Sequence, residues 1–185
     1  MKQEYIITAY SENHIGLLNR ITIIFTRRKV NIESLTVSQS ALKGISKFTI
    51  VVNETTDKVV NIVKQIDKQI EVLKAFYNTN DEMIFQEVAL YKVPTKALMD
   101  SDQIEKMIRS HNARILEITS EYTVIEKTGH EEETQALFEG LNTFGVLQFI
   151  RSGRIAITRS PVERLSEFLK QRDSLFEKLE EGSKI

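Results

Sequence analysis

The stretch from Ala9 to Val37, "AYSENHIGLLNRITIIFTRRKVNIESLTV", decides the fold. It begins inside an alternating, β-branched segment, "EYIITAY" (residues 4–10), which predicts a β-strand. Apolar residues then recur at helical spacing from Gly16 to about Arg28, and basic residues follow near the negative end of the helix dipole. "VNIESLTVS" (30–38) predicts a second strand. A strand, a helix and a strand in direct succession begin an α+β unit.

The rest of the first 77 residues completes a βαββαβ order. "ALKG" (41–44) predicts a turn, and "ISKFTIVV" (45–52) predicts a third strand that pairs with the second as a hairpin. A second helix follows, capped by Thr55 or Thr56, and "IEVLKAFY" (70–77) supplies the fourth strand. The apolar face of that helix is predicted to contain Val59, Val63, Ile66 and Ile70. This order is the ferredoxin-like split βαβ arrangement.

The same element order is predicted to start again after a polar linker at 78–82, "NTNDE". The predicted elements are a strand at 83–93, a helix from Ser101 to His111, a hairpin made by "ARILEIT" and "YTVIEKT", a helix in "HEEETQALFEGLN", and one or two strands in "GVLQFIRSGRIAITR". The predicted architecture is therefore two tandem ferredoxin-like units, 1–77 and 83–160, although the two halves share no visible sequence identity.

Residues 161–185 predict a terminal amphipathic helix with Pro161 at its first position. Its apolar stripe consists of Leu165, Phe168, Leu169, Leu175, Phe176 and Leu179. Packing against the second domain is the favoured interpretation, because most amphipathic helices cover their own core. Docking on a partner is the alternative.

Composition excludes several classes of function. The 185 residues include no cysteine, which rules out disulfides, thiolate chemistry and Cys-based zinc sites. The net charge of -1 and the pI near 6.3 give no reason to expect nucleic acid or another polyanion as a partner. No signal peptide and no membrane-spanning segment is recognisable, so we expect a cytoplasmic protein with no membrane partner.

Motifs for catalysis are also missing from the sequence. His14, His111 and His130 are scattered and do not have the spacing of metal ligands. The glycine-rich nucleotide motifs and the GxSxG nucleophile motif are absent. We therefore predict that the chain is not an enzyme and that it holds neither a metal nor a cofactor.

Asn13 and Gly16 lie where the first strand turns into the first helix. A helix N-terminus offers unpaired N–H groups to a carboxylate, and a glycine lets a ligand approach the backbone closely. An asparagine amide both donates and accepts, so this loop could bind the carboxylate and the ammonium of a free amino acid. The structural alternative is that Asn13 caps the helix while Gly16 relieves the turn. The short motif alone favours that alternative.

The longer pattern resembles the small regulatory subunits of acetolactate synthase (acetohydroxyacid synthase), which begin with an ACT domain. The family pattern is N-x-x-G-hydrophobic-Leu-x-Arg, then Arg-Arg, then "NIESLTV", with "R-[ST]-G-R-x-A-[LI]-x-R" near the end. The chain matches it at Asn13, Gly16, Leu17, Leu18, Arg20, Arg27, Arg28, 31–37 and 151–159. The likeness covers about residues 2–160 in order and spacing.

The resemblance implies a non-catalytic subunit in valine, leucine and isoleucine biosynthesis. Such subunits bind the catalytic (large) subunit, raise its activity and confer feedback inhibition by a branched-chain amino acid, usually valine. Thiamine diphosphate, Mg and FAD are expected on that partner. ACT domains of the family pair as homodimers, with the effector at the seam between them. By position, Asn13, Gly16, Leu17 and Leu18 of one protomer and Asn31 and Ile32 of the other would bind it.

Two departures from the family leave alternatives open. Lys29 stands where the family usually has a glycine, so a left-handed backbone there costs on the order of 1 kcal/mol unless the helix exits differently. The terminal helix also extends past the usual family end. Activation without feedback remains an alternative because of Lys29. A stand-alone ACT-type amino-acid-sensing regulator of another partner is another, although no DNA-reading element is recognisable.

Overall fold

The computed structural model describes residues 1–100, 102–162 and 164–170, and its fold is α+β. The chain divides into two compact units. The first unit contains Met1–Ile84 together with the described residues from Ala156 onward, and the second contains Phe85–Ile155. Within the described residues, no helix is long and apolar enough to cross a membrane.

The first unit has the ferredoxin-like order predicted from the sequence. Its elements are β1 (Gln3–Glu12), α1 (Leu17–Arg27), β2 (Ser34–Gln39), β3 (Ile45–Glu54), α2 (Thr56–Asp67) and β4 (Val72–Thr79). The four strands form an antiparallel sheet in the order β2-β3-β1-β4. Both helices pack on one face of this sheet, where the buried side chains include Tyr5, Ile7, Ile21, Phe25, Ile50, Ile62 and Ile66.

The opposite face of β1 is buried as well. Ile6, Thr8 and Tyr10 alternate with the core residues of that strand, and all three are buried. The chain around Ala156, which belongs to the same unit, contributes to this cover, because the Lys47 Nζ donates a hydrogen bond to the Ala156 carbonyl at 2.5 Å. Leu165 is only 2% exposed. A strand covered on both faces differs from the half-solvated strand that is usual in antiparallel sheets.

The second unit repeats this strand order. Its elements are β5 (Met83–Pro94), α3 (Thr95–Met99), α4 (Asp102–Ser110), β6 (Arg114–Ile118), β7 (Tyr122–Gly129), α5 (Glu131–Asn142) and β8 (Gln148–Arg151), and β9 (Ile155–Thr158) follows. The sheet order is β6-β7-β5-β8, and β9 also pairs with β5. The prediction of a second βαββαβ-like unit is confirmed, and the last predicted segment forms two strands.

One helix in each unit, α1 in the first and α4 in the second, ends in the same way. Lys29 has φ 53, its N–H donates to the Thr26 carbonyl at 3.0 Å, and the Val30 N–H donates to the Phe25 carbonyl at 3.1 Å. This pair of bonds is the Schellman motif. In the second unit Asn112, with φ 51, makes the corresponding turn after α4. The chain therefore adopts the left-handed turn at Lys29 that the sequence left open.

Several boundaries differ from the sequence-based prediction. β2 starts at Ser34 rather than at residue 30, because the turn at Lys29 redirects the chain first. α2 ends at Asp67, so Ile70 lies outside its apolar face and is 97% exposed. The short helix α3 was not predicted.

The linker predicted at 78–82 is shorter in the structure. Asn78 and Thr79 continue β4, and only Asn80–Glu82 form a 3-10 turn. The Glu82 carboxylate accepts the Thr79 N–H at 3.0 Å and so closes that turn. The compact first unit extends to Ile84.

The described part of the terminal helix, residues 164–170, lies in the first unit, so the interpretation that it packs against the second domain was wrong. Pro161 precedes the helical residues 164–170. The Lys74 ammonium lies 5.6 Å from the centre of the Phe168 ring, which fixes this segment beside β4. Leu175, Phe176 and Leu179 of the predicted stripe lie outside the described residues.

Candidate functional site

The loop between β1 and α1 is held at both of its sides. The Asn13 N–H donates to the Gly44 carbonyl in the β2–β3 turn at 3.1 Å. The Glu12 N–H donates to the Glu71 carbonyl just before β4 at 2.9 Å. Because these two partners come from different parts of the sheet, the loop has a fixed course although Asn13 and His14 are exposed.

Gly16 is the residue that turns this loop into α1. Its φ of 84 and ψ of -6 place it in the left-handed region, which glycine adopts without steric cost. A Cβ built on Gly16 would meet no heavy atom within 4 Å. The helix therefore begins beside open space, and a ligand can reach the backbone at this point.

The N-terminus of α1 carries uncompensated positive partial charge. Its first turn contains no acidic residue, and Gly16 provides no side-chain cap. The first N–H groups of a helix have no intrahelical acceptor. One of them, on Leu17, donates to the His14 carbonyl over a long 3.3 Å. The remaining N–H groups of the turn can serve an anion.

Leu17 and Leu18 have different roles in the structure. The Leu17 side chain is 2% exposed and belongs to the hydrophobic core of the first unit. Leu18 is 47% exposed and lies on the solvent side of the first turn. Leu17 therefore anchors the start of α1 in the core, and Leu18 provides accessible apolar surface.

A charged pair that the sequence did not reveal braces the same loop. Arg20 Nη2 donates to Glu71 Oε1 at 2.6 Å, and His14 Nδ1 lies 4.0 Å from the same oxygen. The Arg20 guanidinium is the main reason why the pKa of the Glu71 carboxyl lies below its ordinary value. The pair joins α1 to the residue before β4, close to the anchoring bond from Glu12.

Asn31 and Ile32 lie in the connection before β2, not in the strand where they were expected. Asn31 is exposed, and its Nδ2 donates to Glu33 Oε1 at 3.1 Å. Ile32 is partly buried and packs against the core of the first unit. The Glu33 N–H donates to the Val51 carbonyl at 2.9 Å, so pairing with β3 begins just after these two residues.

The six predicted site residues fall into two groups at opposite ends of α1. Asn13, Gly16, Leu17 and Leu18 precede or begin this helix, whereas Asn31 and Ile32 follow it. Its 11 residues rise about 16 Å, which is much longer than a free amino acid. A single chain therefore does not bring the two groups together around one small ligand.

The β2 strand, which follows Asn31 and Ile32, forms one edge of the sheet in the first unit. Its outer N–H and C=O groups have no neighbouring strand among the described residues. Val37 on this strand is exposed. An unprotected edge of this kind is a template for pairing with a strand of another chain.

Chemistry of other kinds receives little support from the described residues. They contain no group of three or more His, Asp or Glu side chains placed to hold a metal ion. Burial raises the pKa of Tyr91 to about 12, and its hydroxyl donates to the Thr134 carbonyl at 2.7 Å. The acidic groups with lowered pKa, such as Glu54 and Glu126, take part in ion pairs or backbone bonds that stabilise the fold.

Comparison with known families assigns each half of the chain. Residues 7–74 match the family described as the AHAS small subunit-like ACT domain. Residues 86–160 match the family described as the small subunit of acetolactate synthase. The chain belongs to the acetolactate synthase small-subunit family. The resemblance seen in the sequence is thus confirmed over both units.

Individual members of the acetolactate synthase small-subunit family agree with this assignment. The Bacillus subtilis acetolactate synthase small subunit is 36% identical over 162 residues, covering 87% of this chain and 94% of that protein. The small subunit from Mycobacterium leprae is 34% identical, with 81% and 88% covered. The crystal structure of the Thermotoga maritima small subunit has a TM-score of 0.78 at 27% identity, covering 86% of this chain and 99% of that one.

Proposed function

We propose that this chain is the non-catalytic regulatory subunit of a cytoplasmic acetolactate synthase. It binds the catalytic large subunit, raises its activity and makes it sensitive to feedback inhibition by a branched-chain amino acid. Valine is the proposed effector. Membership of the small-subunit family supports this role. In this proposal, thiamine diphosphate, Mg and FAD belong to the catalytic partner, and this chain binds no cofactor.

The effector site of this proposal requires two copies of the chain. The observation that carries it is the separation of the two groups of site residues by the whole length of α1. Pairing along the β2 edges would add Asn31 and Ile32 of one protomer to the Asn13–Leu18 loop of its partner. The domain boundaries proposed from the sequence, with an effector-binding ACT domain at 1–77, fit a dimer formed in this way.

Each part of a bound amino acid has a suitable partner in this arrangement. The N–H groups at the start of α1 receive the carboxylate, and the open space at Gly16 admits it. The amide oxygens of Asn13 and Asn31 accept from the ammonium. Leu18 and Ile32 border the aliphatic side chain. An aliphatic pocket separates valine from leucine by only about 1–3 kcal/mol.

Reconstitution with the catalytic subunit tests the function directly. Adding the chain should raise acetolactate formation, and valine should then lower the activity of the complex but not that of the catalytic subunit alone. Allosteric coupling of this kind is typically about 1–3 kcal/mol, or roughly 5- to 150-fold in affinity. Full activity and full valine response without this chain would contradict the proposal.

The dimer is tested separately with a charge on the β2 edge. Val37→Asp should place like charges beside each other where two β2 strands pair, so the variant should sediment as a monomer and lose valine binding. Ile70→Asp, at an exposed position away from that edge, is the matched control and should remain a dimer. A Val37→Asp dimer that binds valine normally would place the effector elsewhere.

A further inference from the structure

A cavity of about 280 Å³ lies on the sheet of the second unit, on the face opposite α4 and α5. Those two helices cover the face on which Ala89, Tyr91 and Ile125 are buried. Leu90 and Val124 alternate with these residues along their strands, so they lie on the other face and line the cavity. Its volume is just below the range of about 300–1,000 Å³ typical of drug-sized ligands, so it suits a small metabolite.

The floor of this cavity is apolar. Leu90 on β5 and Val124 on β7 are partly exposed there. Ile150 on β8 lies opposite Leu90 in the register, also lines the cavity and is 58% exposed. Three aliphatic side chains on three strands therefore form a small apolar patch that water now covers. A short aliphatic group placed on this patch would remove apolar surface from water, which is favourable.

One cation and one anion flank this floor. Lys92 on β5 and Glu117 on β6 both line the cavity, and both lie opposite Val124 of β7 in the register. Because β7 separates β5 from β6, the two backbones are roughly 10 Å apart. The Lys92 ammonium lies 3.9 Å from the centre of the Tyr122 ring, which is also on β7. The cation is thus held above the strand that separates it from Glu117.

Both charges are open to a ligand. Within the described part of the chain, neither Lys92 nor Glu117 forms an ion pair. The neighbouring row of the sheet contains Glu126 and Arg114, but these two residues pair with each other. Glu126 also accepts a hydrogen bond from the Thr128 hydroxyl at 2.7 Å. One unpaired charge of each sign above an apolar floor matches a ligand that carries both signs itself.

We propose that this cavity binds a small aliphatic α-amino acid in its zwitterionic form. Lys92 receives the carboxylate, Glu117 receives the ammonium, and the aliphatic side chain contacts Leu90, Val124 and Ile150. A monocarboxylate would leave Glu117 without a partner, and a simple amine would leave Lys92 without one. Every group of this site belongs to one protomer and to the second unit. The site therefore rests neither on the proposed effector seam nor on dimer formation.

Three probes with a shared carbon skeleton test the proposal on the full chain. We would titrate 15N-labelled protein with L-valine, with 3-methylbutanoate, which lacks the ammonium, and with 2-methylpropylamine, which lacks the carboxylate. Because both charged side chains are accessible to water, each contact is weak, and valine should bind in the millimolar range. Valine should give saturable shifts at the amides of Lys92, Val124 and Ile150, and the two analogues should not. Absence of saturable valine shifts there, or equal shifts with either analogue, overturns the proposal.

Charge exchange identifies the groups responsible. Lys92→Glu should repel the carboxylate and Glu117→Lys should repel the ammonium, so each should weaken valine binding roughly three- to tenfold or more. The double variant again offers one charge of each sign and should recover binding. Lys92→Met and Glu117→Gln repeat the test if a charge reversal does not fold. Lys106→Met and Glu132→Gln, at exposed positions of α4 and α5, are the controls and should bind valine normally.

Two outcomes of these variants would overturn the assignment. One is unchanged valine binding in every folded variant of Lys92 and Glu117. The other is a folded double variant that binds valine as weakly as the single charge reversals do. A role of the two charges in the fold alone would not be restored by exchanging them, because the register of the strands is the same in both arrangements.

The two proposed amino-acid sites can be distinguished in the same titration. The effector seam is expected to bind valine at lower concentrations, at which the cavity of the second unit stays empty. Gly16→Asp should remove the valine shifts of the first unit and keep those of the second. If valine shifts the amides of Leu17 and Asn31 but none in the second unit, the cavity proposal falls alone. The reverse pattern leaves the cavity and removes the effector seam.

Discussion

Arg20 and Glu71, which are 51 residues apart in the sequence, are joined by a 2.6 Å hydrogen bond beside the first helix. The backbone of Glu71 accepts the Glu12 N–H as well, so one residue holds both the loop and the helix that follows it. The side chain of Glu71 is only 15% exposed, which reduces competition from water. The pair therefore fixes the position of the α1 N-terminus relative to the sheet.

Arg20→Gln should loosen this loop without unfolding the chain. Amide exchange of residues 12–16 should accelerate roughly three- to tenfold, and valine affinity should fall by a similar factor. Hydrogen exchange by mass spectrometry and calorimetry measure the two effects. Arg109→Gln removes an exposed pair with Glu105 in the second unit and should change neither. Unchanged exchange at 12–16 would show that the pair does not brace the loop.

Gly16→Asp should abolish the valine response while leaving the chain folded. The new side chain meets open space, but its charge repels a carboxylate at the α1 N-terminus, and its backbone conformation costs about 1–2 kcal/mol. Gly145→Asp is the matched control, because Gly145 also has positive φ (83) and open surroundings. Calorimetry should detect valine binding to the unaltered chain and to Gly145→Asp, but not to Gly16→Asp. A heat of binding equal to that of the unaltered chain in Gly16→Asp would place the pocket elsewhere.

Lys29→Gly should stabilise the first unit by roughly 0.5–1 kcal/mol. The left-handed turn at Lys29 costs a side-chain-bearing residue about 1–2 kcal/mol, and the greater flexibility of unfolded glycine offsets part of the gain. Urea denaturation should show a higher midpoint. Arg27→Gly, at the last residue of α1 where the backbone is helical, should instead lower the midpoint slightly. A lower midpoint for Lys29→Gly would mean that the lysine side chain compensates for its backbone.

Acid should destabilise the chain partly through Glu54. Hydrogen bonds from Lys2 and Lys58 lower the pKa of this nearly buried carboxyl from 4.5 to about 2. A folded-state pKa below the unfolded one stabilises the fold above pH 4.5, and the effect disappears as the pH falls towards 2. Glu54→Gln should therefore melt below the unaltered chain at pH 7 and match it near pH 2.

The exposed Glu121 provides the control for this pH dependence. Glu121→Gln should follow the melting curve of the unaltered chain throughout the titration, because its carboxylate lies at the surface of the β6–β7 turn. Differential scanning calorimetry between pH 7 and pH 2 compares the three proteins. A constant difference between Glu54→Gln and the unaltered chain across this range would exclude ionisation of Glu54 as the cause.

Local patterns predicted the elements of this chain well, because each pattern reflects burial of one face. The spacing of Ile21 and Phe25 identified α1, and the alternation around Ile6 identified β1. The glycine at position 16 pointed to a turn with room for a ligand, and Gly16 has a positive φ with open space beside it. The consequences of Lys29 were predicted only as alternatives, since the sequence does not show which backbone region a lysine adopts.

Relations between distant residues could not be predicted in this way. The Arg20–Glu71 pair leaves no local periodicity, and an arginine after a helix start is usually solvated. The burial of Thr8 depends on chain segments that join its sheet from more than 140 residues away, as the bond between Lys47 and Ala156 illustrates within the same unit. The prediction that the terminal helix packs on the second domain was wrong for the same reason. An amphipathic stripe does not specify which sheet it covers.

The double covering of β1 has a consequence for synthesis of the chain. The strand leaves the ribosome before α1, α2 and the rest of its sheet, which follow soon after it. The residues around Ala156 and Leu165 that join this unit are translated much later. During most of translation, Thr8 and Tyr10 therefore lack part of their final neighbours, and a nascent chain at that stage offers chaperones a sheet face that the finished subunit hides.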